Sequence, residues 1–105
     1  MKTLFLSTIG LVLVVGLSLA AETKHSIKPQ AGFVPDEKTA IAIAVAVWSP
    51  IYGEENIQKE KPYKAVLRDG VWLVEGTLSN GVVGGVAVAE ISKADARILR
   101  VSHGK

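Results

Sequence analysis

The sequence predicts a small α+β domain in which one N-terminal helix is followed by four antiparallel strands joined as a meander. Three observations lead to this fold class. An alanine-rich apolar segment follows a helix start at residues 35–37, an Asp-Gly pair separates two alternating runs, and two more alternating runs follow between turns. Since no second long helix is predicted, one face of the sheet stays open or meets a partner.

The first twenty residues have the three parts of a secretory signal peptide. Lys2 supplies the positive charge, residues 4–19 are apolar and uncharged, and Ser18-Leu19-Ala20 places small residues where signal peptidase cleaves. We therefore expect cleavage before Ala21 and a periplasmic or secreted protein that touches the membrane only through this segment before cleavage. The alternative is an uncleaved anchor, although a spanning helix needs about 20 predominantly apolar residues.

Removal of the signal segment leaves a nearly neutral chain. Without Lys2, the chain has eleven Lys and Arg residues and ten Asp and Glu residues, and the basic residues are not clustered in the sequence. A nucleic-acid-binding domain carries a basic patch or stripe, so we expect no nucleic-acid partner. The sequence has no cysteine, so disulfide bonds do not stabilise it. We predict an extended arm over residues 21–32 and a single small domain over residues 33–105.

The helix is predicted from its start, its composition and its end. Pro35-Asp36-Glu37 places a proline in the first turn and two carboxylates at the positive end of the helix dipole. The small and large residues that alternate from Ala40 to Val47 also fit a buried strand, but the length and the four alanines favour a helix. Pro50 kinks or ends the last turn, and Gly53 stops it. The apolar face predicted to join the core carries Ile41, Val45, Trp48 and Tyr52, and Ile43, Val47 and Ile51 widen this face. The helix is therefore expected to be nearly enclosed.

A β-hairpin follows a stretch, residues 54–62, that is predicted to be a charged and solvated loop. Asp69-Gly70 is the preferred two-residue hairpin turn, because both central residues must reach positive φ. This turn sets the register, which runs from Arg68 opposite Val71 to Lys64 opposite Glu75. The face predicted to join the core carries Tyr63, Ala65, Leu67, Trp72, Val74 and Gly76.

Two more strands complete the predicted meander. Ser79-Asn80-Gly81 forms a turn, and residues 82–91 form a long strand with a bulge or tight bend at Gly84-Gly85. Residues 92–96 form the next turn, and residues 97–102 form the last strand.

The candidate partner-binding surface lies on the other face of the hairpin. We name it the outer hairpin face, and its residues are Lys64, Val66, Arg68, Val71, Leu73 and Glu75. Its apolar centre and charged rim are typical of a protein contact. Alternatively, a second helix or the N-terminal arm covers it.

No catalytic, cofactor-binding or metal-binding residue is predicted. His25 and His103 are interpreted as solvated, because zinc sites need three or four clustered ligands. Ser102 and His103 are adjacent, so in a strand they point to opposite faces and do not form a nucleophile–base pair. The glycines of residues 81–85 lie between strands, whereas a phosphate loop precedes a helix. An enzyme of this broad fold would need an inward-facing carboxylate, which the core face of the hairpin lacks.

Several stretches of the chain, spread over residues 32–104, resemble a bacterial family of immunity proteins with the nuclear transport factor 2 fold, associated with polymorphic toxin systems. The stretches are residues 32–40, 51–55, 61–65, 69–76 and 84–91. The resemblance implies a cystatin-like arrangement, in which a helix packs on a curved antiparallel sheet. It also implies a non-enzymatic role, in which the protein binds a cognate toxin and blocks it. It implies no particular contact residues.

Two functions outside catalysis follow as hypotheses. The first is an exported immunity or inhibitor protein that occludes a toxin by surface binding. The second is a small periplasmic binding or regulatory module, similar to the PepSY type in its order of a helix followed by strands.

Overall fold

The computed structural model describes residues 25–80 and 82–105 of the chain. The predicted signal segment, its cleavage point, the first residues of the predicted arm and Gly81 of the predicted turn lie outside the described residues. The elements, in chain order, are helix α1 (Glu37–Tyr52), helix α2 (Glu54–Gln58) and strands β1 (Lys64–Arg68), β2 (Val71–Glu75), β3 (Ala87–Ser92) and β4 (Ile98–His103). The four strands are antiparallel and lie in the order β1-β2-β3-β4, which confirms the predicted helix and meander.

Helix α1 ends at the predicted Gly53, but it begins at Glu37, so Pro35, predicted to lie in the first turn, precedes the N-cap. Asp36 is the N-cap, and its carboxylate accepts a 2.8 Å hydrogen bond from the Thr39 backbone N–H. The hydrogen bonds from Thr39 hold the pKa of Asp36 below its ordinary value. Pro50 lies within the last turn without ending it, and Gly53 stops the helix at a φ of 95°. Local capping chemistry thus fixes the length of the helix.

The buried face of α1 differs from the prediction. Its fully buried residues are Ala40, Ala44 and Trp48, whereas the predicted Ile51 is 57 % exposed. Alanine carries only a methyl group, so this stripe lets the helix backbone approach the sheet closely while larger side chains spread to either side. The predicted Ile41, Ile43, Val45, Val47 and Tyr52 are only partly buried. The helix is consequently exposed along one face instead of nearly enclosed.

The hairpin of β1 and β2 has the predicted register. All five predicted pairs are present, from Lys64 opposite Glu75 to Arg68 opposite Val71. Asp69 and Gly70 both have positive φ, as the two-residue turn requires. Trp72, Val74 and Gly76 are buried on the predicted core face. Leu67, predicted to lie in the core, is 42 % exposed because β1 is an edge strand.

The segment between α1 and the hairpin is more ordered than the predicted solvated loop. It contains helix α2, whose Ile57 is fully buried, and it continues into Glu60, which is 9 % exposed. The amide of Thr77 donates a 2.7 Å hydrogen bond to the Glu60 carbonyl. The alternating charges of this segment suggest a solvated loop, but only the positions other than Ile57 and Glu60 face the solvent.

The third strand is shorter than predicted. Strand β3 begins at Ala87, and residues 82–86 form no strand. Gly84 has a φ of 134°, which L side chains rarely adopt. A Cβ on Gly85 would lie 2.2 Å from the Cα of Gly104, so the two backbones are in direct contact. The close packing of these glycines therefore replaces the start of the predicted strand.

Residues 33 and 34, which follow the predicted arm, bind the β3–β4 turn. The amides of Phe33 and Val34 donate to the carbonyls of Ala94 and Lys93, at 3.1 and 3.0 Å. Trp72 Nε1 donates a 2.8 Å hydrogen bond to the carbonyl of Val34, which is fully buried. Residues 33 and 34 are thus part of the packed domain. Within residues 25–80 and 82–105, no helix has both the length and the apolar character that a bilayer crossing demands.

Candidate functional site

The six predicted contact residues lie together on one face of the β1–β2 hairpin. Val66 is opposite Leu73 at the centre, and Lys64 is opposite Glu75 toward one end. Leu73 alternates along β2 with Trp72 and Val74, whose side chains are buried on the opposite face with α1. The structure therefore places the whole outer hairpin face on the side of the sheet away from the core.

The outer hairpin face is open in the described part of the chain. Val66 is 57 % exposed, Lys64, Arg68 and Glu75 are also exposed, and Val71 and Leu73 are half-buried. The core cluster that joins α1 to the sheet lies on the other face. Neither described helix covers this surface, and the described arm contacts the β3–β4 turn instead, where the Ala31 carbonyl accepts a hydrogen bond from Lys93 Nζ.

Strands β3 and β4 extend this surface beyond the hairpin. A concavity of about 510 Å³ is lined by three apolar residues of the hairpin together with Glu90 and Leu99. Arg100 pairs with Glu90 at 2.7 Å beside it and also donates to Ser102. The sequence did not predict that these residues join the surface, because the register of β3 against β2 depends on the long connection between them. The extended surface has an apolar centre, which includes Leu99 with 44 % of its area exposed, and a rim that carries charges of both signs.

A second candidate site lies on the core side of the sheet, where Glu60 meets His103. One carboxylate oxygen of Glu60 accepts a 2.7 Å hydrogen bond from the amide of Ala87, and the other lies 2.9 Å from His103 Nε2. His103 is exposed as a residue, as predicted, but its imidazole is only 28 % exposed and contacts the Glu60 carboxylate, whose side chain is 12 % exposed. A Cβ on Gly76 would lie 2.5 Å from the Glu60 carboxylate, so Gly76 provides the space for it.

His103 has an acceptor at each ring nitrogen. Its Nδ1 lies 2.7 Å from the carbonyl oxygen of Gly104, and its ring packs against Tyr52 with the centroids 5.0 Å apart. The Gly104 carbonyl first, and the Glu60 carboxylate second, raise the pKa of His103 above its ordinary value. His25, by contrast, is exposed in the arm.

An open cleft of about 740 Å³ surrounds this pair, and we name it the Glu60–His103 cleft. Its walls come from the end of α1, the segment after α2, residues 77–79, residues 82–85 and the C-terminal residues 103–105. A carboxylate beside an imidazole is a group that can carry out acid–base chemistry. Here, however, both carboxylate oxygens and both ring nitrogens already have protein partners. Among the described residues, no group of three or more potential metal ligands comes together.

Glu60 also bears on the enzyme hypothesis. That hypothesis required an inward-facing carboxylate, and the structure contains one, although it comes from the segment after α2 instead of the hairpin. Gly76 was the sequence feature that could have indicated it. A glycine on the core face of a strand leaves a space that another group fills.

Comparison with known proteins identifies the family. The family of NTF2 fold immunity proteins matches residues 39–105. The chain belongs to this family. The match spans most of α1, α2 and all four strands, and so includes both the outer hairpin face and the Glu60–His103 cleft.

Two proteins of Escherichia coli strain K12 are similar to this NTF2 fold immunity protein. The uncharacterized protein YhhH is 35 % identical over 86 residues, which is 81 % of this chain and 65 % of YhhH. The uncharacterized protein YbbC is 36 % identical over 83 residues, which is 78 % of this chain and 66 % of YbbC. The matched region thus spans just under two thirds of each relative. No solved structure shows a significant match to the chain.

Family membership confirms the resemblance seen in the sequence and favours the immunity hypothesis over the PepSY-like one. A helix packed on a four-stranded antiparallel sheet is consistent with the NTF2-like fold.

Proposed function

We propose that this protein neutralises a protein toxin by binding it, without catalysis, and that the outer hairpin face is the contact surface. Membership of an immunity-protein family supports the toxin-binding role. One observation supports the surface: Val66, Val71 and Leu73 form an apolar centre that no described element covers. The exposed Lys64 and Glu75 lie opposite each other at its rim.

The composition of this surface fits a protein partner. Interfaces combine a desolvated apolar core with a polar, solvated rim. Here the centre is extended by Leu99, and the rim carries both positive and negative groups. A rim of mixed charge sets the orientation and the choice of partner more than it adds affinity. The helix-on-sheet layout also fits a cystatin-like arrangement, in which the free sheet face is available to a partner.

Replacing Leu73 with arginine tests this surface. The guanidinium would be desolvated at the centre of the contact without a partner, so we expect affinity for the toxin to fall at least about 100-fold. Titration calorimetry of the purified protein with the toxin domain encoded beside it gives the affinity. Circular dichroism and the melting temperature establish that the variant is folded.

The matched control is Ile51→Arg, which makes the same change at an apolar residue that is 57 % exposed on α1. The control should bind as the unaltered protein does. A folded Leu73→Arg variant with unchanged affinity would remove the outer hairpin face as the contact. A deletion strain that shows no sensitivity to kin cells, together with no binding of the neighbouring toxin, would reject the immunity function itself.

We also propose that residues 1–20 are an export signal, so the toxin is met outside the cytoplasm. The support is Lys2, the uncharged stretch of residues 4–19 and the small residues before Ala21. The protein recovered from the periplasm or the medium is expected to begin at Ala21, as N-terminal sequencing or intact mass would measure. Replacing Ala20 with a bulky residue such as Phe should retain the full-length precursor at the membrane. An intact Met1 in the soluble periplasmic fraction of the unaltered protein would contradict cleavage.

A further inference from the structure

His103 is placed where three separate parts of the chain meet. It ends strand β4, its Nε2 lies 2.9 Å from the Glu60 carboxylate after α2, and its ring packs on Tyr52 of α1. Ala87 lies opposite His103 in the pairing of β3 with β4. The Ala87 amide donates a hydrogen bond to the second carboxylate oxygen of Glu60. The imidazole thus links the end of the chain to the centre of the fold.

Only one protonation state of His103 satisfies this geometry. Both ring nitrogens face oxygen acceptors, the Glu60 carboxylate at 2.9 Å and the Gly104 carbonyl at 2.7 Å. A neutral imidazole has a single N–H, so its second nitrogen would direct a lone pair at an oxygen. The imidazolium donates to both acceptors.

Deprotonation of the ring removes its hydrogen bond to the Gly104 carbonyl. A carboxylate is a stronger acceptor than a backbone carbonyl, so the remaining N–H stays with Glu60. The backbone amide of Gly104 donates a long hydrogen bond, 3.3 Å, to the Val86 carbonyl. Gly104 packs directly on Gly85, and these residues form adjoining walls of the Glu60–His103 cleft. Removal of the Nδ1–H donor therefore weakens the packing between the two walls.

We propose that His103 is a pH-dependent clasp that holds residues 104–105 against Gly84-Gly85 when its ring is protonated and releases them when it is neutral. This device goes beyond toxin binding, because it lies on the core side of the sheet, opposite the outer hairpin face. The open Glu60–His103 cleft is therefore narrower at low pH, when the clasp is formed, and wider at high pH.

The charged groups around the ring decide the pH range. Glu60 favours the cation, whereas the ammonium groups of Lys59 and Lys105, which line the same cleft, oppose it. The other residues in contact with this pair, Tyr52 and Ala87, have neither a carboxylate nor an amine in the side chain. Because the Gly104 carbonyl and Glu60 raise the pKa of His103, the clasp is fully closed below the ordinary value of 6.5 and opens as the pH rises through the raised pKa.

Nuclear magnetic resonance of the ¹⁵N-labelled protein tests this device. Between about pH 5.5 and about pH 9, a range of about 3.5 units that lies mostly above the ordinary histidine value, the His103 ring should pass from two N–H groups to the single Nε2–H tautomer. The amide resonances of Gly85 and Gly104 should shift with the same midpoint, above 6.5. Protection of the Gly104 amide from hydrogen exchange, corrected for the intrinsic rate, should fall about tenfold, the equivalent of one hydrogen bond.

Two variants distinguish the clasp from a passive histidine. His103→Gln should abolish the pH dependence at Gly85 and Gly104, whereas His25→Gln, which removes the exposed histidine of the arm, should leave it unchanged. If His103→Gln does not fold, the titration of the unaltered protein decides alone. A ring that titrates below 6.5, or amides at Gly85 and Gly104 that do not follow it, would overturn the proposal.

Discussion

Replacing Trp48 with alanine is expected to lower the free energy of unfolding by about 3–5 kcal/mol, as removal of a buried tryptophan does. The side chain is fully buried and packs beside Tyr63, with the ring centroids 5.9 Å apart. Its Nε1 also donates a 3.1 Å hydrogen bond to the Val88 carbonyl of β3. Trp48 thus links α1 to the sheet through both packing and a hydrogen bond. Since a domain of this kind has a total stability of about 5–15 kcal/mol, the variant should be largely unfolded at moderate urea concentrations.

Urea unfolding followed by circular dichroism measures this decrease. The matched control is Ile51→Ala on the same helix, whose side chain is 57 % exposed and whose truncation should change the stability by less than about 0.5 kcal/mol. Equal effects of the two substitutions would mean that α1 does not bury the face that includes Ala40, Ala44 and Trp48.

The second large effect is expected at Glu60, where alanine should lower the free energy of unfolding by about 2–4 kcal/mol at pH 6. The substitution leaves the buried amide of Ala87 without an acceptor and leaves His103 Nε2 without its carboxylate. It also empties the space that Gly76 provides. The segment after α2, the start of β3 and the end of β4 would then no longer be joined through one carboxylate.

Glu55→Ala is the control for charge, because Glu55 is an exposed carboxylate on the neighbouring helix α2. Its effect should stay within about 0.5 kcal/mol. The loss in the free energy of unfolding for Glu60→Gln should lie between those for Glu60→Ala and Glu55→Ala. The amide retains an oxygen that can accept from Ala87, but it loses the charge-assisted hydrogen bond to His103. A stability for Glu60→Ala equal to that of Glu55→Ala would show that the carboxylate contributes nothing to the fold.

The features that the sequence predicted correctly are governed by short-range chemistry. The helix start near residues 35–37 and the stop at Gly53 depend on hydrogen bonds and φ values within one turn of helix. The register of the hairpin depends on Asp69 and Gly70 alone, because a two-residue turn leaves no freedom in the pairing of the flanking strands. The outer hairpin face followed from that register, since side chains alternate between the two faces of a strand.

The features that the sequence did not predict depend on how closely elements approach one another. In α1, hydrophobicity pointed to isoleucine and valine as the centre of the buried face, but the distance to the sheet selected Ala40 and Ala44. Strand β3 was predicted to begin at residue 82, but the packing of Gly85 on Gly104 delays its start to Ala87. The approach of α1 to the sheet and that of Gly85 to Gly104 depend on residues distant in the sequence, so local patterns do not predict them.

The sequence by itself therefore determined the order of the elements, the hairpin register and the residues of the outer hairpin face, because caps, turns and alternation act locally. It also indicated the family, through stretches of residues along the domain. Only the tertiary structure brought Glu90 and Leu99 to the edge of that face and joined Glu60 to His103 across 43 positions. The charges around Glu60 indicated a solvated loop, and packing against Gly76 and Ala87 instead made it a buried carboxylate, because burial is decided by neighbours distant in the chain.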